Sequence, residues 1–372
     1  MTPELKQSAA RLVEWTRDAA LPLWAEVQEP TGAWPEDLHL DGSPNTQAVR
    51  RHRVQARQAY TYALATHLGW GDWREVALRT LRFMWEAGSQ PEGTPGLAHR
   101  LHPDGTVESA KRDLYDHAFY LLASAWVEHV VDWDQAARPS ANLKRFLQSL
   151  AHPSGGYREG LPDSPFRRQN PHMHLFEVAL HLRELGADAG GPDAKTLYAL
   201  FETHFFDPGL GAVREYFDKD WTPQSTPFEP GHAVEWVWLL GWWQRLTGTP
   251  TQFYRDALYG SALRSGSVWL YDEVVPGQHT LWEAERETSR LWVQTELIKA
   301  HLTQGEHGDR PALGMAAAAI DGLLSEWLEP RGTWVDKRGA CGQRLSDTIP
   351  TSTFYHIIGA AAEADRVAKI TR

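Results

Sequence analysis

The run Phe228-Glu229-Pro230-Gly231-His232-Ala233-Val234-Glu235-Trp236 sets a histidine and a glutamate three residues apart, directly after a Pro-Gly step. Pro-Gly ahead of an apolar run marks a helix start, so His232 and Glu235 share one face of the opening turns. Imidazole is the side chain suited to moving protons near neutral pH, and a carboxylate beside it raises its pKa and fixes its tautomer. A second histidine, His356, follows Pro350-Thr351-Ser352-Thr353 and opens the last helical pattern. Two imidazoles across one pocket can transfer protons at adjacent carbons.

Other segments offer matching side chains. Arg53 and Arg57, one turn apart, could hold a ring oxygen or stabilise an anionic enediolate. Tyr115 offers a hydroxyl, Trp292 a stacking face and Glu296 a carboxylate for a sugar hydroxyl. In Asn170-Pro171-His172-Met173-His174 the H-x-H spacing suits metal ligands on a strand, but on a helix His172 and His174 diverge. Asn170 and His174, four apart, face a pocket together instead, and we expect no metal and no cofactor. No phosphate-binding glycine loop, nucleophile elbow or dinucleotide fingerprint is present. Arg53, Arg112 and Arg290 could receive an anionic group or serve the surface.

The spacing of these residues dictates what must position them. Arg57, Tyr115, His174, His232, Glu296 and His356 lie 58, 59, 58, 64 and 60 residues apart. A repeat of this length puts one functional side chain from each unit on the same rim of a closed ring. Helical periodicity predicts segments near 4–20, 46–68, 72–88, 112–130, 140–151, 171–186, 192–204, 230–247, 250–266, 286–302, 310–329 and 354–369. Short links follow Leu68, Leu185 and Leu246, whereas long links fill 30–45, 89–111, 152–170, 205–229, 267–285 and 330–353. Several long links pair glycine with an aromatic or apolar residue, as in Gly32-Ala33-Trp34 and Gly332-Thr333-Trp334, and their extended runs suit small hairpins. The expectation is an all-α fold of six helical hairpins closed into a double ring, with long loops and short β-hairpins at one mouth. No Pro- or Ser-rich linker divides residues 1–372, so we expect one catalytic domain.

Composition narrows the partners. Lysine and arginine number 37 against 48 acids, a net charge of −11, which supplies no basic stripe for nucleic acid. The single Cys341 excludes an internal disulfide and a cysteine-rich zinc site. The amphipathic N-terminus lacks the apolar core of a signal peptide, and no apolar run approaches the ~18 residues of a membrane span. A cytoplasmic protein without a membrane partner is expected, as a monomer or homodimer. The 18 tryptophans and 17 histidines suit stacking on, and hydrogen bonding to, a sugar.

VQARQAYTYA at 54–63, LYDHAFYLL at 114–122, NPHMHLFE at 170–177, EPGHAVEWVWLL at 229–240, RLWVQTELIKA at 290–300 and the Tyr355-His356 step occur in that order. Together they resemble the N-acylglucosamine 2-epimerase superfamily across nearly the whole chain, and its mannose isomerase branch in NPHMHLFE and PTSTFYH. The resemblance implies an (α/α)6 barrel and two proton-transferring histidines, here His232 and His356. It implies Arg57, Glu235 and Glu296 as essential pocket residues, with Tyr115, Asn170, His174 and Trp292 contacting sugar; Arg53 joins them from its place beside Arg57.

The expected reaction is metal-independent aldose–ketose isomerisation of a free hexose such as D-mannose to D-fructose through a cis-enediol. Which histidine acts at which carbon is open at this level. The rivals are a sugar 2-epimerase or a sulfoquinovose isomerase, which share the barrel. A glycoside hydrolase would need two carboxylates ~5–10 Å apart, with Glu235 and Glu296 as candidates and the histidines left without a task. A non-catalytic sugar-binding protein is the remaining class.

Overall fold

The computed structural model describes residues 3–89, 91, 93–131, 139–224, 227–266, 269–278 and 281–370. Parts of the links 89–111, 205–229 and 267–285 therefore lie outside the described residues. Six helices line the inside of a ring: α3 (His52–His67), α5 (Leu114–Val130), α7 (Gln169–Glu184), α9 (Pro230–Thr247), α11 (Leu291–Glu306) and α13 (Phe354–Ile370). Each packs against the next, and α13 packs on α3, so the ring closes. Outside run α4 (Arg74–Gly88), α6 (Pro139–Ser149), α8 (Ala194–Leu200), α10 (Gln252–Ala262) and α12 (Arg310–Gly322). The sixth outer position belongs to α1 (Pro3–Glu14), which packs on α13 and α12 and joins the two ends of the chain. The architecture is an (α/α)6 barrel, as the repeat predicts.

Sequence separates the two rings. From Pro230 to Trp243 every residue of α9 is buried, because an inner helix meets neighbours on all sides. In α4 burial is confined to one stripe, Ala77, Thr80, Leu81, Phe83, Met84 and Gly88, and the opposite face is polar. One connected apolar core runs between the rings, with Trp24 and Trp334 stacked at 4.7 Å where the chain ends meet.

The mouth is more ordered than the spacing predicts. Hairpins form within links, as where Val274–Pro276 pairs with Trp282–Ala284. In addition, the residues entering an inner helix pair antiparallel with the following long link. Arg50–Arg51 pairs with Arg100–Leu101, Arg112–Asp113 with Gly160–Leu161, and Phe166–Arg168 with Tyr216–Asp218. Around the ring Phe228 bridges Val274, Thr288–Arg290 pairs with Lys337–Gly339, and Thr348–Pro350 returns to Asp37–His39. These entry strands are why α3 and α11 begin at His52 and Leu291, later than the apolar periodicity suggests. Gly32 and Gly332, both at φ +91°, turn two equivalent links, and a Cβ there would lie 2.4 Å from the Arg79 carbonyl oxygen and 2.6 Å from that of Ala19. Among the described residues no helix is long and apolar enough to cross a membrane.

Candidate active site

Because each inner helix starts at the mouth, its first turns project side chains into a common basin. Arg53 and Arg57 of α3, Tyr115 of α5, Asn170 and His174 of α7, His232 and Glu235 of α9, Trp292 of α11 and His356 of α13 line one cavity of about 200 Å3. Arg51, Glu229, Arg290, Ser352 and Thr353 complete its wall. Nine of the ten residues read from the sequence, all but Glu296, thus meet in one place. The tenth, Glu296, is fully buried behind His356 rather than at the wall where a sugar hydroxyl would reach it.

Each imidazole is held through Nδ1 by a carboxylate. His356 Nδ1 lies 2.8 Å from Glu296 Oε1, and Lys299 Nζ forms an ion pair with Glu296 Oε2 at 2.5 Å. His174 Nδ1 lies 2.9 Å from Glu177 Oε2, whose other oxygen accepts from the Tyr355 hydroxyl. His232 Nδ1 lies 3.0 Å from both oxygens of Glu215 and 3.7 Å from Glu229. The carboxylate that fixes His232 is therefore Glu215, not Glu235 as the i,i+3 spacing predicts. Glu215 arrives on the link ahead of α9 and is gripped by Gln169, through both side chain and backbone. Glu235 instead sits 3.9 Å from His174 Nδ1, and among the described residues neither of its buried oxygens has a hydrogen-bond partner.

The electrostatic consequences diverge. Burial opposes charge on His232, yet Glu215 and Glu229 outweigh it and raise its pKa to about 10. Glu229 itself is pushed up to about 7, by burial against the pull of His232. At His356 burial again opposes charge, and Arg57, Lys299 and His174 add to it, so its pKa falls well below the ordinary value. Glu235 is pushed well up by burial and by Glu296. The Trp292 indole touches both histidines, its centroid 5.4 Å from His232 and 5.5 Å from His356.

The arginines differ in what they already hold. Arg53 is paired with Asp116 at 3.0 Å, Arg51 with Glu36, and Arg290 stands 4.0 Å from Asp336. Arg57 donates to the Tyr115 hydroxyl at 2.8 Å and the Ser352 carbonyl at 3.4 Å and has no ion pair among those described. Arg112 is buried away from the cavity, donating to the carbonyls of Pro95 and Ala110. His172 also turns away, its Nδ1 beside the Arg168 carbonyl and its Nε2 accepting from the Tyr157 amide.

Two triads, His174–Glu177–Glu235 and Glu215–Glu229–His232, bring potential cation ligands within 4.8 Å of one another. In each, the histidine Nδ1 is already spent on a carboxylate. The spacing rule that linked His232 to Glu235 also reaches partners passed over in the sequence: Glu177 is i+3 from His174, Glu229 is i−3 from His232, and Lys299 is i+3 from Glu296. Glu215 carried no such signal, since a strand pairing delivers it.

With the geometry in place, comparison with known proteins is informative. The family model of N-acylglucosamine 2-epimerase (GlcNAc 2-epimerase) matches residues 33–360. The chain is 36% identical to a mannose-6-phosphate isomerase of Rhizobium meliloti (strain 1021), covering 98% of both. It is 27% identical to a D-mannose isomerase of Thermobifida fusca, covering 90% of both. The structure of cellobiose 2-epimerase from Spirochaeta thermophila DSM 6192 superposes with a TM-score of 0.85 at 21% identity, covering 99% of this chain and 98% of that one. The fold is thus shared with a cellobiose 2-epimerase, and the chain belongs to the N-acylglucosamine 2-epimerase family.

Proposed function

We propose that the protein is an aldose–ketose isomerase converting D-mannose, or a related free aldose, to D-fructose through a cis-enediol. The observation that carries this reading is the opposed surroundings of two histidines in one small cavity: Glu215 and Glu229 lie against His232 and hold it toward its charged form, whereas burial, Arg57 and Lys299 hold His356 toward its neutral form. The neutral His356 donates Nδ1–H to Glu296 and keeps Nε2 as a base. It takes the C2 proton of the opened sugar as the C1=C2 bond forms, and His232 gives a proton to O1. The O2 hydroxyl then returns a proton to His232 as the C2 carbonyl forms, and His356 delivers its proton to C1. Both histidines end as they began, so no proton is gained or lost.

Arg57, without a carboxylate partner among the described residues, stabilises the oxyanion that develops during these steps. Glu235, held toward its neutral form, together with Asn170, whose buried Oδ1 lacks a partner, binds sugar hydroxyls. Tyr115, His174, Trp292 and Arg53 shape the remainder, and Glu296 acts from behind His356. A cavity of about 200 Å3 is below the ~300–1,000 Å3 of drug-sized sites and suits a monosaccharide. The names of the two curated relatives, both isomerases of mannose or its phosphate, support the reaction class. Arg51 and Arg53 are already neutralised by acids, which favours an uncharged hexose over its phosphate.

A 2-epimerase is the second reading, favoured by the presence of two histidines against one indole, His232 at 5.4 Å and His356 at 5.5 Å from the Trp292 ring, since the His232 imidazolium could reprotonate C2 in place of His356. Proton NMR with D-mannose in deuterated water separates them. Fructose as first product with deuterium at C1 is the expected result, whereas glucose first with deuterium at C2 identifies an epimerase. Absence of both product and exchange with every simple aldose would sink both readings, whereas fructose formed without exchange would mean that His356 carries the C2 proton to C1 faster than it exchanges with solvent.

A further inference from the structure

Behind the active site the barrel lumen continues as a second cavity of about 240 Å3, at the opposite end of the inner helices. Tyr60, Trp126, His181, Trp238 and Trp242 form much of its wall, and Lys299 lies where the two cavities approach each other. Lys299 is almost completely buried, a costly place for an ammonium group unless it is paired. Its Nζ contacts Glu296 Oε2 and stands 3.5 Å from the centre of the Trp238 ring. The charged groups facing it are the carboxylates Glu296, Glu235 and Glu177. Those facing His356 are Arg57, Lys299, His174, Glu177 and Glu296.

From this arrangement we infer that Lys299 is a positioning residue that selects the tautomer of His356 by holding Glu296 as a carboxylate. The inference rests on the assignment of His356 as the base. Burial pushes the pKa of Glu296 up, toward the protonated acid, and the ammonium of Lys299 is the largest influence pulling it back toward the carboxylate. Without the ammonium, Glu296 takes up a proton and donates its O–H to His356 Nδ1. The imidazole proton then moves to Nε2, and the nitrogen facing the sugar is no longer a base. Lys299 touches no reacting atom; its effect passes through Glu296.

The test uses the full-length protein and two variants. Lys299→Met keeps the volume of the chain, and Lys299→Ala opens a void beside the far cavity, into which a small ammonium ion can enter without crossing the active site. With Lys299→Met, we expect kcat to fall about 100-fold with KM little changed. Nitrogen NMR of histidine-labelled protein, with the His356 signals assigned by difference from His356→Gln, should show the protonated nitrogen switch from Nδ1 to Nε2. Propylammonium, the group removed in Lys299→Ala, should restore turnover saturably, while 1-propanol should not. Rescue by 1-propanol as good as by propylammonium would reduce Lys299 to a packing role and overturn the inference. So would a folded Lys299→Met enzyme with an unchanged His356 tautomer. A switched tautomer with full turnover would uphold Lys299 and instead refute His356 as the base.

Discussion

His232 and His356 meet the same indole at nearly equal distances and at the same 42° tilt, yet they carry opposite charge. Both are buried, so desolvation pushes both toward neutrality. The difference lies in what stands behind each ring. On the α9 side Glu215 and Glu229 crowd His232 with negative charge. On the α13 side Arg57 and Lys299 face His356 with positive charge, and Glu296, its Nδ1 partner, is itself tied to Lys299. The same side chain becomes an acid at one end of the cavity and a base at the other because different elements supply its neighbours. Burial alone would have made two bases.

The sharpest way to break this comparison is to remove each ring in turn. Replacing His356 with Gln should lower kcat by about 10⁴-fold, the upper end for a proton-transfer group, and abolish deuterium exchange at C2. His232→Gln should cost about 10²-fold and leave slow exchange, because the base remains. Initial rates and exchange measured on both variants check the asymmetry, and equal losses of exchange would undo it. Arg57→Gln should come next, at about 10²–10³-fold in kcat, since it removes an uncompensated charge from the developing oxyanion.

Glu215 sharpens the comparison from the other side. A histidine whose folded pKa is about 10 adds stability that is fully present below its unfolded value of ~6.5 and is lost as pH rises through about 10. The wild type should therefore lose thermal stability between pH 6.5 and 10. In Glu215→Gln that slope should flatten, the alkaline limb of kcat/KM should move to lower pH, and turnover should fall about 10-fold or more. Calorimetry and rate profiles at pH 6, 8 and 10 read both effects, and an unchanged slope would remove Glu215 as the source of the raised pKa.

The sequence makes the repeat legible because function repeats with it: one polar or aromatic residue per inner helix, near a fixed interval, at the mouth end of each. Closure also follows, since six such units on one rim form a ring only if the last packs on the first, as α13 does on α3. What escapes is whatever depends on strand pairing. Glu215 lies 17 residues before His232, and no helical spacing connects them; the pairing of Tyr216–Asp218 with Phe166–Arg168 fixes its backbone beside Gln169. Glu235 serves His174 and not His232: i,i+3 places two side chains on one face without saying which lies nearer a third helix. His174 reaches Glu235 from α7, and only the packing of α7 on α9 brings them together. Lys299 is a different case: its i+3 spacing from Glu296 is readable, but a lysine in an apolar helix reads as exposed until the burial of its partner is known.

The smallest expected effect concerns the indole that both histidines touch. A Cβ added at Gly231, in the first turn of α9, would lie 2.4 Å from Cη2 of Trp292 and 2.7 Å from Cζ3. Alanine improves helix propensity there by about 1 kcal/mol, so Gly231→Ala should not unfold the helix. The ring must yield instead, and it cannot tilt without changing its contact with His232 and His356 alike. We expect a loss of about 10-fold in kcat/KM, within the 0.5–3 kcal/mol usual for coupled neighbours. In a Trp292→Leu background, where the outer ring atoms are gone, Gly231→Ala should add almost nothing. A double-mutant cycle on kcat/KM measures this directly. Additive losses would mean that the alanine acts on His232 through the helix and leaves His356 untouched, so the two ends of the cavity would not be joined through the indole.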